Sequence, residues 1–228
     1  KQNSHFCIFE QVYFARPDSE IFGINVYQAR KRMGELLAAE AKIDADFVMP
    51  FPDSGNYAAL GYSQASGIPL EMGVIRNHYV GRTFIQPTQS MRDFNVKVKL
   101  NPVRSFLQDK RVIIVEDSII RGTTGKSRVR ALREAGAKEV HLVVSCPPTR
   151  HACYYGIDFP SVEQLIANKK TIDEIGKFLG LDSLHYLSLE GLVKATGLTS
   201  KEFCLACFDG NYPVAPDLSF SKNALDCQ

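Results

Sequence analysis

A chain of 228 residues, 45% apolar and 23% charged, is long enough to bury a full core and has the composition of a globular protein rather than a disordered or fibrous one. Its net charge of +2 is too small to argue for a nucleic-acid partner or an anionic membrane surface, and no apolar run approaches the roughly 20 residues of a membrane span. Lys1-Gln2-Asn3-Ser4-His5 carries no apolar segment of the secretory kind, so a cytoplasmic protein is expected, with its cysteines read as thiols or metal ligands rather than a disulfide framework.

Residues 6–14 are apolar and aromatic and suit a strand or a packed arm. Asp18-Ser19-Glu20 then leads into a helical pattern in which Val26, Ala29, Met33, Leu36 and Leu37 recur on one face. Phe47-Val48-Met49-Pro50 predicts a short strand that runs into the turn formers Pro52-Asp53-Ser54-Gly55. A second helix is expected from Tyr57 to Ala65, ending near Gly67, and a further strand from Met72 to Ile75. Residues 76–104 differ in character. Arg76, Arg82, Arg92, Lys97, Lys99 and Arg104 make them basic, Gly81 and Pro87 punctuate them, and periodicity is weak. A segment this long without clear elements is usually functional; it is read as a mobile flap, with a plain solvated loop as the alternative.

Val112-Ile113-Ile114-Val115 reads as a strand buried on both faces. Glu116 and Asp117 stand where it ends. Ser118, Arg121, Gly122, Thr123 and Thr124 make the following turn, and a helix comes next with Val129, Leu132 and Ala135 inside and Gly136 as its C-cap. Val140 to Val144 is the next strand, with Cys146 as a core residue beside it. Strand–helix–strand alternation implies a parallel sheet with right-handed crossovers. Beyond Pro147-Pro148 come short helices, and both Ser161–Gln164 and Thr171–Glu174 fit the capping-box pattern. Three segments are expected: a core over residues 1–150, a helical and cysteine-bearing region over 151–213, and a poorly ordered tail over 214–228.

Acids at a strand end suit sugar hydroxyls or a metal, and backbone N–H groups at a helix start suit a phosphate. An ordinary strand–turn–helix connection needs neither paired acids nor Arg-Gly-Thr-Thr. Asp53-Ser54-Gly55 also follows a strand. Ligands of open parallel sheets sit beyond the carboxyl ends of the strands, so the two loops are expected to hold opposite ends of one ligand. Gly55 lets the backbone approach a pyrophosphate closely, whereas Arg121, Thr123 and Thr124 suit a monophosphate. Cys204-Leu205-Ala206-Cys207 has metal-ligand spacing compatible with zinc or iron–sulfur chemistry; buried unligated thiols are the plain alternative. His5, His141, His151 and His185 are read as packing or surface residues.

The 112–124 motif is similar to the signature of type I phosphoribosyltransferases, which bind phosphoribosyl pyrophosphate (PRPP). Phe9 to Ser19, Pro52 to Gly55, Tyr79 to Pro87, Arg133 to Val140, Tyr155 to Asp158 and Leu189 to Leu192 occur in order with it. Together they resemble the phosphoribosyltransferase half of the glutamine phosphoribosylpyrophosphate amidotransferase family, of the iron–sulfur-containing type, over residues 5–213. The resemblance implies an α/β fold: a type I phosphoribosyltransferase-like parallel sheet flanked by helices, with a small C-terminal helical appendage. It also implies transfer of ammonia nitrogen to C1 of PRPP, giving 5-phosphoribosylamine and pyrophosphate in purine synthesis, with the ammonia supplied by a glutaminase domain. By position, Asp53, Ser54 and Gly55 fall in the family's pyrophosphate loop, and Ser118, Arg121, Gly122, Thr123 and Thr124 in the loop for ribose and 5′-phosphate. Ser54, Glu116 and Asp117 fall on its Mg²⁺ positions. Cys7, Cys153, Cys204 and Cys207 fall where part of the family ligates a [4Fe-4S] cluster. Purine nucleotides are implied as inhibitors, and a homotetramer as the assembly.

The chain departs from that family in three places. Glu116 stands where many relatives carry Asp; its extra methylene is expected to exchange direct metal coordination for contact through water. His78 stands in the flap where Arg is common. The family begins with a glutaminase domain whose residue 1 is a nucleophilic cysteine, whereas this chain begins with Lys1 and Cys7 is internal. The chain is therefore expected not to hydrolyse glutamine, and to be a piece of a longer protein. Nitrogen would attack C1 as pyrophosphate leaves through an oxocarbenium-like state, with the flap excluding water; Tyr79, Phe84 and Ile85 either wall an ammonia path or pack as core residues. Two rival readings keep the same loop: a non-catalytic PRPP-sensing regulator, and another type I phosphoribosyltransferase acting on a nucleobase or orotate.

Overall fold

In a computed structural model, residues 4–77 and 100–216 are described. The chain opens with a two-residue strand, β1 (Phe6–Cys7), and a π-helical segment at Glu10–Phe14. A tight hairpin of β2 (Glu20–Ile21) and β3 (Ile24–Asn25) follows. Its turn places both Phe22 (φ 59°) and Gly23 (φ 73°) at positive φ, the conformation that two-residue hairpin loops require. The sequence pattern leads straight from Asp18-Ser19-Glu20 into a helix. The hairpin intervenes because the Phe22 ring stacks on Phe6 at 4.1 Å, a contact no local pattern announces. Asn25 then caps α1 (Val26–Glu40), its side-chain oxygen accepting from the Gln28 N–H at 3.0 Å.

β4 (Phe47–Pro50) and α2 (Asn56–Ser66) follow, and Gly67 ends that helix at φ 75°. β5 (Val74–Arg76) pairs antiparallel with β6 (Leu100–Pro102) in a ribbon outside the main sheet. These strands frame the expected flap. Residues 78–99 lie outside the described residues, and with them His78, Tyr79, Phe84 and Ile85. β7 (Arg111–Glu116), α3 (Thr123–Glu134) and β8 (Glu139–Val144) come next, then α4 (Ile172–Leu179), β9 (Ser183–Tyr186), α5 (Leu189–Thr196) and β10 (Phe203–Cys204). Within α3 the C-cap is Ala135, one residue before the expected Gly136, which follows at φ 102°. Thr171 forms the expected capping box with Glu174, whereas Ser161 makes no cap bond and precedes only a 3₁₀ turn. The tail expectation falls largely outside the described residues, which end at 216.

The main sheet has the order β4-β7-β8-β9, with every pairing parallel. The predicted α/β architecture, a parallel sheet flanked by helices, is present. Val112 to Val115 and Val140, Val143 and Val144 are almost wholly buried, as strands covered on both faces must be. The fourth strand lies beyond residue 150, so the boundary expected there runs through one sheet. On the other side, α1 and α2 cross with their backbones in contact: a Cβ at Gly34 would stand 1.9 Å from the Ala58 carbonyl oxygen, and one at Gly61 would stand 1.9 Å from that of Lys31. Burial of Met33, Leu37, Met49 and Leu142 contributes about 1.5–3 kcal/mol each, as area removed from water. Among the described residues, no helix is long and apolar enough to cross a membrane.

Candidate active site

β4 and β7 are parallel neighbours, with Pro50 opposite Val115, so the loops that follow them leave the same edge of the sheet. The Phe51 N–H donates to the Val115 carbonyl at 2.9 Å, and the Gly55 N–H to the Phe51 carbonyl at 3.1 Å. Gly55 lies directly on the end of β7: a Cβ there would stand 2.3 Å from the Val115 oxygen, so no other residue fits without moving backbone. The Pro52–Asp53 peptide is cis. The Asp53 carboxylate is exposed and pairs with Arg76 at the end of β5. Asp117 accepts from the Ser118 hydroxyl at 2.5 Å, and Ser54, from the other loop, also lowers its pKa. The structure thus brings Ser54, Gly55, Asp117 and Ser118 together.

The second loop closes on the segment before α4. The Ile166 N–H donates to the Ile120 carbonyl at 2.9 Å, and Arg121 Nε to Gln164 Oε1 at 2.9 Å. Gly122 enters α3 at φ 77°, and a Cβ there would stand 2.8 Å from Ile166 Cδ1. Thr123 and Thr124 are exposed in the first turn of α3. The backbone N–H groups of that turn lack intrahelical acceptors and sit at the positive end of the helix dipole, which favours an anion. The loop therefore offers N–H groups, two hydroxyls and a guanidinium on one surface.

Behind the loops lies a group of charges. Burial raises the pKa of Asp117, against hydrogen bonds from Ser118 and Ser54 and the positive charges of Arg128 and Arg30. Burial pushes Glu116 up to about 8; Arg128 opposes the rise and the Asp117 charge adds to it. Arg128 Nη1 stands 3.2 Å from each Glu116 carboxyl oxygen, and its guanidinium lies 4.9 Å from the centre of the Phe51 ring. Arg30 is buried on α1, donating to the carbonyls of Gln11 and Ala15 at 2.9 Å each. Neither arginine was singled out from sequence. Arg128 stands with Lys126 and Arg130 on one helix, and only the tertiary path back to Glu116 separates it from them.

The cysteines gather elsewhere. β1 and β10 pair in parallel with Cys7 opposite Cys204, and Cys207 lies in the helical turn that follows. The Arg150 and His151 N–H groups donate to the Cys207 carbonyl at 3.0 and 3.1 Å, which brings Cys153 to the same place. Burial pushes the thiols of Cys7, Cys204 and Cys207 up, and neighbouring cysteines in the group add to each rise. Cys146 is wholly buried just past β8 and its thiol donates to the Pro147 carbonyl at 3.3 Å. Cys227 lies outside the described residues. Among the described residues, no three His, Cys, Asp or Glu side chains stand close enough to hold a single metal ion.

A parallel sheet with a glycine-tight turn beyond one strand, and acids leading into a helix N-terminus beyond its neighbour, defines an α/β domain whose carboxyl edge has the features that suit phosphorylated ligands. The chain belongs to the phosphoribosyl transferase domain family, whose pattern matches residues 30–179. It is 55% identical over 210 residues to amidophosphoribosyltransferase 1, chloroplastic, of Arabidopsis thaliana, covering 92% of this chain and 37% of that one. It is 56% identical over 216 residues to an amidophosphoribosyltransferase of Methanocaldococcus jannaschii, covering 95% and 45%. A solved glutamine PRPP amidotransferase from B. subtilis, complexed with ADP and GMP, matches with a TM-score of 0.86 at 50% identity, over 93% of this chain and 48% of that one. The chain spans less than half the length of these relatives.

Proposed function

We propose that this chain is the phosphoribosyltransferase part of an amidophosphoribosyltransferase, joining ammonia nitrogen to C1 of PRPP and releasing pyrophosphate, for purine synthesis. The observation that carries the reading is the parallel pairing of β4 with β7 and the seating of Gly55 on Val115, which set a pyrophosphate-sized turn and a phosphate-binding helix start at one edge of the sheet. PRPP has a pyrophosphate on C1 and a phosphate on C5, so it needs two anion cradles with a polar, acid-lined gap between them. The Asp53–Gly55 backbone receives the pyrophosphate, the Ser118–Thr124 loop the 5′-phosphate, and Asp117 accepts hydrogen bonds from ribose hydroxyls. Nitrogen attacks C1 as the C1–oxygen bond to pyrophosphate breaks, and the nitrogen then loses a proton to solvent. Little side-chain acid–base work is required; holding the two phosphate ends sets the line of attack.

Ser54 and Asp117 are the residues proposed to hold Mg²⁺, with Glu116 reaching it through water because Arg128 engages both its oxygens. One carboxylate and one hydroxyl leave most positions to substrate oxygens and water, which suits this ion at phosphate sites. When bound it would neutralise charge developing on the leaving pyrophosphate.

Cys7, Cys153, Cys204 and Cys207 are proposed to ligate a [4Fe-4S] cluster. Cys7 pairs opposite Cys204, Cys207 lies in the turn that follows, and the Arg150 and His151 N–H groups bring Cys153 to the same place, a set of four thiols that supports a cluster with four sulfur ligands. The cluster would be structural, joining β1, β10 and the segment around Cys153. A glutaminase domain supplying ammonia, a homotetramer and inhibition by purine nucleotides complete the proposal. The last is supported by the similarity of a nucleoside monophosphate to the 5′-phosphate end of PRPP.

The deciding assay supplies PRPP, Mg²⁺ and ammonium to the chain and measures pyrophosphate. Ammonium-dependent release is expected, with none on glutamine alone. Binding of PRPP without release would turn the reading to a sensor.

A further inference from the structure

We infer that Arg128 is a positioning residue of the transfer site, tying the acid at the end of β7 to the start of the opposite loop. Its Nη1 stands 3.2 Å from each carboxyl oxygen of Glu116. On the other side its guanidinium lies 4.9 Å from the centre of the Phe51 ring. Phe51 is the residue from which the Pro52–Gly55 turn departs. It is buried, its N–H is held by Val115 and its carbonyl by Gly55. One side chain from α3 therefore touches the roots of both ligand loops.

Chain length fits this arrangement. An Asp at position 116 would fall about one carbon–carbon bond, ~1.5 Å, short of the guanidinium. The longer Glu and the arginine therefore act as one device. A buried ion pair is a weak stabiliser, because desolvation offsets most of its attraction. Its value here lies in orientation: Arg128 holds the Glu116 carboxylate away from the adjacent Asp117 and fixes the Phe51 ring beneath the pyrophosphate turn. Asp117 is left as the acid free to meet substrate, while Glu116 keeps it in register.

The inference rests on the proposed reaction for its substrate. The test measures equilibrium binding of PRPP with Mg²⁺, alongside kcat and KM, in the full-length protein that carries this chain. Arg128→Met keeps an unbranched side chain and removes both the charge and the guanidinium over Phe51. It is expected to weaken PRPP binding about tenfold and to raise KM in step, with kcat changed less than about threefold, as loss of a preformed loop acts on binding. Arg128→Lys, which restores charge without a planar face on Phe51, should fall between wild type and Arg128→Met. Unchanged PRPP affinity in Arg128→Met, with only a lower melting temperature, would overturn the inference, as would an Arg128→Lys variant that binds no better than Arg128→Met. Failure of the wild-type protein to release pyrophosphate while still binding PRPP would sink the proposed reaction alone, because the binding series still reads Arg128. Absence of PRPP binding would end both.

Discussion

Ser54 lowers the pKa of Asp117, so side chains from two loops far apart in the chain act on each other beyond the ends of β4 and β7. That relationship makes Asp117→Asn the most informative substitution at the site. The amide keeps the shape, but the charge is lost. PRPP turnover is expected to fall by about a hundredfold or more. Asp117 has a raised pKa, so its charge opposes folding increasingly as pH rises above the unfolded value near ~3.9. The Asn variant should therefore melt at or above the wild-type temperature at pH 7 while losing activity. Near-normal turnover would remove Asp117 from the machinery.

Two glycines separate packing from binding. Gly55→Ala places a methyl 2.3 Å from the Val115 carbonyl oxygen, and Gly34→Ala places one 1.9 Å from that of Ala58. Neither backbone oxygen can rotate away, so each change should cost about 1–3 kcal/mol in urea unfolding. Only Gly55→Ala should also raise KM for PRPP, severalfold or more, at a temperature where both variants are folded. Equal KM effects would mean that the α1–α2 crossing, not the turn itself, governs the site.

The cysteine group yields a compositional prediction. Anaerobically purified protein should be brown, with about four irons per chain, and Cys204→Ser should lose most of that iron. Cys146→Ser should keep it, since the Cys146 thiol bonds the Pro147 carbonyl instead. Stoichiometric zinc in the wild-type protein, or iron loss in Cys146→Ser, would contradict the assignment.

Asp182 reports on the join between β8 and β9. Burial alone would raise its pKa, but the Val140 N–H at 2.6 Å and Arg133 at 2.5 Å outweigh burial and hold it below the usual carboxylate range. A lowered carboxylate contributes stability above its unfolded pKa, near ~3.9, and that stability fades as pH falls through the folded value. Asp182→Asn should cost about 1 kcal/mol at pH 7, solvent screening of the partly exposed pair trimming the rest. The gap from wild type should close below about pH 4. A gap of constant size in urea melts from pH 7 to pH 3 would rule out this account.

Much of this architecture is legible along the chain because it is local. Val112 to Val115 announces a buried parallel strand by its unbroken branched run, and Met33 and Leu37 announce α1 by spacing. Thr171 and Glu174 specify their cap within four residues. What stayed hidden depends on distant partners. β9 offers Ser183, His185 and Tyr186 around a single buried Leu184, too polar to read as part of a sheet; it is ordered by β8 and by Asp182. Phe22 at positive φ is held by Phe6. The candidate site divides in the same way: its loops have a sequence signature, whereas Arg128 gains its place only when α3 folds back over Glu116.

The seam between Phe6–Cys7 and Phe203–Cys204 joins segments near the two ends of the described residues. Closing so long a ring has a high entropic cost, and a ribbon of two residues per strand returns little of it. The seam is therefore expected to part before the sheet itself yields. A covalent or metal bridge placed across it restrains the denatured ensemble more than one that closes a shorter ring.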